Sequence, residues 1–378
     1  MTASATPAVT HPPAVLKFGG SSFATPAAYG ELAYSLSARL DAGGRRLAVV
    51  VSAMPGETER LRERLHTVDP HPTGDRVAGL LTLADTVSAH LLAAALHRLG
   101  RSATVLAGQR TGFTTEGPFM WARLSRTDPG PLRRALDEHE VVVVPGGQAV
   151  DAEGRPTWLG KNSSDLSAVA VAVAVGAGAC EIHSDVEGIH SCDPHQVSGT
   201  RLLDQVSYAD ATAMSRHGAK VLHHRAVRLA ERHGVSIVCR HNTPPFTEGT
   251  VIGPGAATAD AVVLNLRSVV VAHPDGATAD RAHRAFRAEG VDAIRLGDAP
   301  CVAVIGGYVD PVEVQRRHGV APGRVVGIPV TEIRDGLATV HVAAGEAEAV
   351  RLARELHAGL PARPAPSRFH PHAEGVRA

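Results

Sequence analysis

Lysine is rare in this chain, and each lysine lies in a stretch that contains glycine or serine. Among 38 basic residues, only Lys17, Lys161 and Lys220 are lysines, so arginine carries the remaining positive charge. An ammonium group is a compact point charge that suits a phosphate or carboxylate oxygen, whereas a guanidinium group suits bidentate contacts. The lysines therefore indicate a site that handles small anionic groups.

The first lysine opens the segment KFGGSS, residues 17–22, whose composition is typical of a phosphate-binding turn. Two glycines allow the backbone to approach a ligand closely, and the amides and hydroxyls that follow can donate to phosphate oxygens. The segment fits neither the GxxxxGK[ST] pattern of a Walker A loop nor the GxGxxG pattern of a dinucleotide-binding turn. It predicts a phosphate site of another kind, with a plain tight turn as the alternative.

Short β-rich runs alternate with helical stretches through the first part of the chain. The runs are mainly apolar, as in strands buried on both faces, and cover residues 14–18, 46–52, 102–106, 140–146, 179–185 and 235–240. Helical patterns separate the runs, as at residues 26–41, 75–99 and 219–233. This order predicts an α/β sandwich with a mainly parallel central sheet, whose ligands bind beyond the carboxyl ends of the strands.

The segment SAVAVAVAVGAG, residues 167–178, alternates like a strand but is built from alanine and valine. The residues before it favour a helix N-cap, and glycines near its end can terminate a helix. These residues are Ser163, Ser164, Asp165, Gly176 and Gly178. We therefore predict a buried helix here.

Composition narrows the class of protein. The 378 residues include 38 basic and 38 acidic side chains, so the chain has no broad attraction to nucleic acid or membranes. The N-terminal segment does not resemble a signal peptide, and we expect no apolar run of the roughly 20 residues that span a bilayer. A cytoplasmic protein is predicted. The cysteines lack CxxC spacing and predict reduced thiols: Cys180, Cys192, Cys239 and Cys301.

Four segments carry a resemblance to a known family: KFGGSS, VSAMPGETERL (51–61), SDVEGIHSCDPH (184–195) and GAKVLHHRAV (218–227). In this order they closely resemble the aspartate kinases of the amino acid kinase family, over about residues 14–252. The resemblance implies a three-layer αβα fold, with ATP and the acceptor bound side by side above the sheet. It also implies ATP and Mg²⁺ as cofactors.

The resemblance further implies roles for the residues that match the family's motifs. Lys17 would contact the transferring phosphoryl group, and Asp165 would organise this catalytic lysine. Nucleotide and phosphate binding would fall to Lys17, Gly19, Gly20, Ser21, Ser184, Asp185, Asp193 and Lys220. Acceptor binding would fall to Ser52, Thr58, Asp85, Lys161, Asn162, Ser163 and Ser164.

Two departures from the family pattern concern the acceptor. The family reads GRGGSD where this chain has GKNSSD, so Lys161 replaces an arginine that clamps the α-carboxylate of the amino acid, and Asn162 and Ser163 replace glycines. Asp85 stands where the family has a glutamate that receives the α-amino group. A shorter cation and a shorter carboxylate predict an acceptor that is displaced or of another shape, with neutral variation in an ordinary aspartate kinase as the alternative.

In the nucleotide segment, His190 and His195 replace a tyrosine and an arginine of the family. We still expect ATP as the nucleotide, but with an altered affinity. Further on, His217 and His224 could share a helical face close to His223. Because no carboxylate or cysteine at standard spacing completes a ligand set, we predict no metal site there.

The sequence pattern changes near the Gly/Pro/Ala stretch at residues 253–257. We predict a flexible N-terminus (1–12), a catalytic domain (13–255), a smaller α+β domain like the ACT modules of aspartate kinases (256–360) and a disordered tail (361–378). Within the smaller domain, the loop at residues 273–283 joins a strand to a helix N-terminus and could bind a ligand carboxylate.

These features together predict an ATP- and Mg²⁺-dependent kinase of a small amino acid, with the side-chain carboxylate of L-aspartate as the leading acceptor. One alternative is a kinase of specialised metabolism that acts on another amino or hydroxy acid. Another is a catalytically inactive subunit that binds ligands. The expected partners are the amino acid and further copies of the chain, in a homodimer or a larger homo-oligomer.

Overall fold

The computed structural model describes residues 12–43, 45–219, 222–255, 258–307 and 309–361. Lys220, residues 1–11 of the predicted flexible N-terminus and residues 362–378 of the predicted tail lie outside these ranges. The helices, numbered in chain order, are α1 Ala28–Gly43, α2 Glu57–Val68, α3 Gly74–Arg98, α4 Gly130–Glu138, α5 Ser164–Val175, α6 Tyr208–Arg216, α7 His224–His233, α8 Gly276–Ala288, α9 Pro311–Arg317 and α10 Glu346–Ala358.

The strands of the larger domain form an eight-stranded sheet and a four-stranded sheet. They are β1 Ala14–Phe18, β2 Leu47–Val51, β3 Ala103–Val105, β4 Phe113–Glu116, β5 Arg123–Thr127, β6 Val141–Pro145, β7 Gln148–Val150, β8 Pro156–Trp158, β9 Ala179–Ser184, β10 Gln205–Val206, β11 Ser236–His241 and β12 Glu248–Ile252. The smaller domain adds β13 Ala261–Leu264, β14 Val269–Ala272, β15 Ala293–Arg295, β16 Cys301–Val304, β17 Arg324–Arg334 and β18 Leu337–Ala343.

The eight-stranded sheet has the order β10-β12-β11-β9-β1-β2-β6-β3. Its strand pairs are parallel except that of β11 with β12. The predicted runs match β1, β2, β3, β6, β9 and β11 within one residue at each end. The prediction of a mainly parallel central sheet is therefore confirmed.

Helices cover both faces of this sheet. Side chains on a strand alternate between faces, so Val15 of β1 packs in one buried cluster with residues of α5 and α7, including Val169. Leu16 and Phe18 pack in a second cluster with residues of α1 and α3, including Leu92. These two clusters make the larger domain the expected three-layer αβα sandwich.

Helix α5 confirms the prediction for the alanine- and valine-rich segment. It is buried on nearly every side and ends at Gly176, whose φ of 73° lies in the left-handed region. Ser163 occupies the N-cap position, but its hydroxyl donates to the carbonyl oxygen of Gly160 and caps no helix amide. The predicted side-chain cap is therefore absent at this helix N-terminus.

Helix α7 is shorter than the predicted helix at residues 219–233. It begins at His224, after His223, whose ring nitrogen accepts a hydrogen bond from the Arg225 amide as an N-cap. His217 instead ends α6 as its C-cap residue. His217 and His224 therefore lie on different helices, and the expectation that they could share one helical face was wrong.

Helix α3 corrects the expectation that no apolar run is long enough to span a bilayer. With 25 residues, it passes that test by length and composition. In this fold it is a core helix, because Leu81 and Leu92 are fully buried and Thr82 accepts a hydrogen bond at its carbonyl from Gln148.

The four-stranded sheet, in the order β5-β4-β7-β8, was not predicted. It contacts α3 through β8, and β8 leads directly into residues 159–165. The small sheet therefore positions the segment that contains GKNSSD.

The smaller domain contains a six-stranded sheet, in which β13, β17, β14, β16 and β15 follow one another and β18 pairs with β17. All its pairings are antiparallel. Helix α10 packs on β13 and β17, and α8 packs on β15 and β16. The α+β character of this domain is as predicted, and the boundary after residue 255, which stays a prediction, falls between β12 and β13.

Candidate functional site

The candidate site lies where the central sheet changes direction. Strand β1 is flanked by β2 on one side and by β9 on the other, and all three are parallel. The chain builds the sheet outward from β1 through β2 and β6, and later returns to the other side of β1 with β9 and β11. A crevice forms at such a switch point, outside the carboxyl ends of the strands.

Lys17 and Asp165 form a buried ion pair at this point. The Nζ atom of Lys17, near the end of β1, lies 2.8 Å from Oδ1 of Asp165 in the first turn of α5. Both side chains are nearly excluded from solvent. The second carboxylate oxygen of Asp165 accepts a hydrogen bond of 3.2 Å from the backbone amide of His223. Asp165 therefore fixes the ammonium group and ties α5 to the start of α7.

The glycine-containing turn follows Lys17 directly. Gly19 donates its amide to the carbonyl of His183 on β9, and a short 3₁₀ helix, Gly20–Phe23, continues from it. A Cβ atom on Gly20 would lie 2.9 Å from the carbonyl oxygen of Ala53, so the close approach of the two loops requires glycine. The α-helix that follows, α1, begins at Ala28, close to the predicted start near Pro26.

Asn242, which sequence reasoning missed, joins this turn to the end of β9. Its side-chain amide donates to the hydroxyls of Ser21 and Ser22 at 3.1 and 3.2 Å. Its backbone amide donates to the carbonyl of Ser184. Asn242 follows the carboxyl end of β11, a position that could have suggested a site residue.

On the other side of Lys17, hydrogen bonds hold three predicted acceptor residues near one another: Ser52, Asp85 and Ser164. The Ser52 hydroxyl, just after β2, donates to the Ser164 hydroxyl at 2.9 Å. The amide of Ala53 donates to the carboxylate of Asp85 on α3 at 2.9 Å. Ser164 is the neighbour of Asp165, so this group of hydroxyls and carboxylates borders the buried ion pair.

Burial raises the pKa of Asp85 to about 7, and the amide of Ala53 and the positive charge of Lys17 oppose this shift. A carboxyl group with a pKa near neutrality is common in functional sites. A cation that bound beside Asp85 would favour its ionised form.

In the loop before α5, two residues have positive φ angles, which few residue types adopt without strain. Gly160 has a φ of 106°, and a Cβ atom there would lie 2.7 Å from the ring of Trp121. Asn162 also has a positive φ, 60°, a conformation that asparagine adopts more readily than most residues. Lys161 and Asn162 are exposed, whereas Ser163 is buried.

The remaining predicted residues are more scattered. Ser184 ends β9 and donates its hydroxyl to the carbonyl of Val186, and Asp185 is exposed beside it. Asp193 accepts a hydrogen bond from the amide of His195, and no hydrogen bond or ion pair among the described residues joins it to Ser184 or Asp185. Thr58 lies in the first turn of α2, which packs against α3, and no hydrogen bond among the described residues joins it to Ser52 or Asp85.

The described residues contain no cluster of three or more histidine, cysteine, aspartate or glutamate side chains that could hold a metal ion. Burial raises the pKa of Cys180 and of Cys239, and no disulfide forms among the described cysteines. The loop at residues 273–283 also differs from expectation. The helix N-terminus there is capped by Asp275, whose own carboxylate accepts the Thr278 amide at 2.7 Å.

Residues 12–241 match the sequence model of the amino acid kinase family, which is more than half of the chain. The chain belongs to the amino acid kinase family. An aspartokinase of Thermus thermophilus is 36% identical over 252 residues. That alignment covers 67% of this chain and 62% of the relative, so the chain matches less than two thirds of the relative's length.

Solved structures share the fold over most of the chain. E. coli aspartokinase III in complex with aspartate and ADP has a TM-score of 0.63 at 20% identity, over 85% of this chain and 87% of that one. The same enzyme in complex with lysine and aspartate has a TM-score of 0.65 at 19% identity, over 92% and 99%. At these identities the likeness shows the fold, and it confirms the predicted sandwich with a smaller α+β domain.

Proposed function

We propose that this chain is an ATP-dependent kinase that phosphorylates the side-chain carboxylate of L-aspartate, giving 4-phospho-L-aspartate and ADP. The observation that carries the proposal is the buried pair of Lys17 and Asp165 at the switch point of the central sheet. The aspartokinase identity of the Thermus thermophilus relative supports the choice of acceptor.

The proposed reaction requires that the acceptor carboxylate and the γ-phosphoryl group are positioned together and that their negative charge is neutralised. It does not require a general acid or base. A side-chain carboxylate is ionised at neutral pH, so one of its oxygens can bond to the γ-phosphorus while the bond from phosphorus to the ADP oxygen breaks. No proton is removed in this step. The ammonium of Lys17 would neutralise charge on the transferring group, and Asp165 would hold that ammonium in place.

The nucleotide would lie on the β9 side of Lys17. Gly19, Gly20 and Ser21 would donate to its phosphates, and Asn242 would hold the turn against Ser184. Roles for Asp185, Asp193 and Lys220 at the nucleotide remain predictions.

Mg²⁺ would enter with the nucleotide. This ion usually keeps several waters and binds substrate phosphates with one or two carboxylates. Binding of this kind does not need a cluster of three protein ligands, and the described part of the chain contains none. When bound, the ion would neutralise phosphate charge.

The acceptor would lie on the β2 side. Asp85 would accept a hydrogen bond from the α-ammonium group of the bound aspartate. Lys161, in the exposed loop before α5, would contact its α-carboxylate. Ser52, Thr58 and Ser164 would border the side-chain carboxylate that receives the phosphoryl group. We also expect a homo-oligomer that works in the cytoplasm, where ATP is available.

The direct test measures ADP release from Mg·ATP by the purified chain, with L-aspartate compared with L-glutamate and with small hydroxy acids. We expect release that requires L-aspartate and is lost in Lys17→Met. Release with another acceptor, but not with aspartate, would contradict the proposed acceptor and leave the kinase assignment standing.

A second candidate is a kinase for a different amino or hydroxy acid, and the residues Lys161 and Asp85 motivate it. The double variant Lys161→Arg/Asp85→Glu separates the two candidates. If aspartate is the true acceptor, the double variant should not improve activity with aspartate. If another acid is the acceptor, the variant should gain activity with aspartate. Nucleotide binding without turnover of any acceptor would favour an inactive subunit instead.

A further inference from the structure

A cavity of about 560 Å³ lies between the two domains, beside the loop that carries Lys161 and Asn162. The larger domain contributes residues of α6 and α7, including Arg216 and Arg228. The smaller domain contributes residues of α8 and of the segment that follows it, including Arg287. Both domains therefore contribute to the wall of the cavity.

Positive charge dominates the lining. Five arginines and Lys161 line the cavity, and the arginines are Arg123, Arg216, Arg225, Arg228 and Arg287. The acidic lining residues are Asp165, which pairs with Lys17, and Asp292, which lies 3.6 Å from the ring of His224. The wall thus carries an excess of positive charge that the described carboxylates do not balance.

Arg123 lies 3.8 Å from a carboxylate oxygen of Glu116, but the other lining arginines form no ion pair with a described carboxylate. In the described ranges, Arg216, Arg228 and Arg287 have no carboxylate oxygen within 4.0 Å, and Arg225 donates to the backbone carbonyls of Leu159 and Ala122. Several cations gathered in a concave surface attract anions strongly. Guanidinium groups are well suited to carboxylate and phosphate oxygens.

The cavity adjoins the acceptor side of the candidate active site but does not reach the glycine-containing turn at the nucleotide side. None of Gly19, Gly20, Ser21, Ser184 and Asp185 lines it. The two sites meet only at the start of α5, where Lys161 and Asn162 border the cavity and Asp165 borders both.

We propose that this interdomain cavity binds a small oxyanion with two or more negative charges, of the carboxylate or phosphate class. Arg216 and Arg228 would hold it from the larger domain, and Arg287 from the smaller one. Bound there, the anion links the two domains at the loop that carries Lys161. The proposal does not depend on the identity of the kinase's acceptor.

Isothermal titration of the full chain tests the proposal, with citrate and pyrophosphate as separate probes and without Mg·ATP or aspartate. We expect at least one probe to bind. In Arg228→Gln/Arg287→Gln its affinity should fall about tenfold or more, the size expected when two charge-assisted hydrogen bonds are lost. Both arginines are exposed, so their replacement should leave the fold intact, as circular dichroism would verify.

Two further variants sharpen the test. Arg64→Gln, on the exposed face of α2 and away from the cavity, should leave the affinity unchanged. Asp292→Asn removes the opposing carboxylate and should tighten binding, a change that unfolding cannot mimic. Citrate binding alone assigns the carboxylate class, and pyrophosphate binding alone the phosphate class.

The proposal would be overturned if neither probe binds, or if the double arginine variant binds as tightly as the original chain. Binding that saturating ADP abolishes would place the anion in the nucleotide site and would overturn it as well. Since the readout is binding rather than turnover, these outcomes do not depend on whether the chain phosphorylates aspartate.

Discussion

The pair of Lys17 and Asp165 combines a structural and a functional role at the scale of single residues. Burying two charges costs solvation energy, which their contact and the amide of His223 must offset. Removing one partner leaves the other charge buried and unpaired, whereas removing both removes the penalty as well. This asymmetry allows the two roles to be separated by experiment.

We predict that Lys17→Met lowers the free energy of unfolding by about 3–5 kcal/mol, because the charge of Asp165 is left uncompensated. The double variant Lys17→Met/Asp165→Asn should recover a large part of that loss. Both should remain inactive, with turnover reduced about 10³-fold or more. Urea denaturation and ADP release measure the two effects. A single variant as stable as the original chain would contradict the buried pairing.

Asp85 makes the stability of the protein depend on pH. Because its pKa in the folded chain is about 7, well above that of an exposed aspartate, the folded form keeps a proton that the unfolded form releases. The stability that this group contributes is therefore lost as the pH rises from about 4 towards 7.

We predict that Asp85→Asn is close to the original chain in stability at pH 5 and more stable than it at pH 8. Asparagine can still accept the Ala53 amide but never takes a charge. The measurement is the urea midpoint at both pH values. Asp137→Asn, exposed on α4, is the control and should show no such dependence. An equal difference in urea midpoint between Asp85→Asn and the original chain at both pH values would show that burial does not raise the pKa of Asp85.

At the scale of elements, the loop between β8 and α5 decides where Lys161 stands. Gly160 is held in a left-handed conformation against Trp121, and the N-terminus of α5 follows only a few residues later. A change in the backbone conformation of Gly160 would move Lys161 relative to the ion pair of Lys17 and Asp165. Glycine in α3 is a useful contrast, because Gly79 is helical and has open space around its Cβ position.

We predict that Gly160→Ala lowers the free energy of unfolding by about 1–3 kcal/mol and weakens aspartate binding, because alanine is strained at this φ and meets the tryptophan ring. Gly79→Ala, the matched control, should raise stability by about 0.5–1 kcal/mol through helix propensity. Thermal unfolding distinguishes the two signs. Stabilisation by both substitutions would contradict the described loop conformation.

The elements differ in how far their sequence reveals them. The valines of β6 predict a strand buried on both faces. The run of alanine and valine that ends at Gly176 predicts α5, although the Ser163 side chain does not cap this helix as expected. Strands β7 and β8 have three residues each, too few for a periodic signal. Asn242 was missed for another reason, since its hydrogen bonds join residues about 220 positions apart.

At the scale of the whole molecule, the two domains share buried contacts. Cys192 and Val197 of the larger domain pack in one cluster with Val262 and Ile328 of the smaller one. The Ser191 hydroxyl also contacts the ring of His357 on α10 at 2.8 Å. The change of pattern near residue 255 suggested a second domain, but sequence periodicity could not reveal these contacts or the arginine-lined cavity.

We predict that the chain associates through the edge of the smaller domain's sheet. Strand β18 pairs only with β17 among the described strands, and exposes Leu337 and Val342. An uncovered edge of this kind favours strand pairing with another chain. Light scattering should give a multiple of the chain mass, and Val342→Lys should lower it. Val68→Lys, at an exposed position on α2, should not. Association unaffected by Val342→Lys would place the interface elsewhere.

Trapping of an acyl phosphate would show directly whether the chain phosphorylates aspartate. Purified chain is incubated with Mg·ATP, L-aspartate and hydroxylamine, and the hydroxamate is measured for the original chain and for Lys17→Met. We predict that the original chain forms hydroxamate and that the variant does not. A folded, ATP-binding chain that forms no hydroxamate from aspartate would contradict the proposal that this site phosphorylates the aspartate carboxylate.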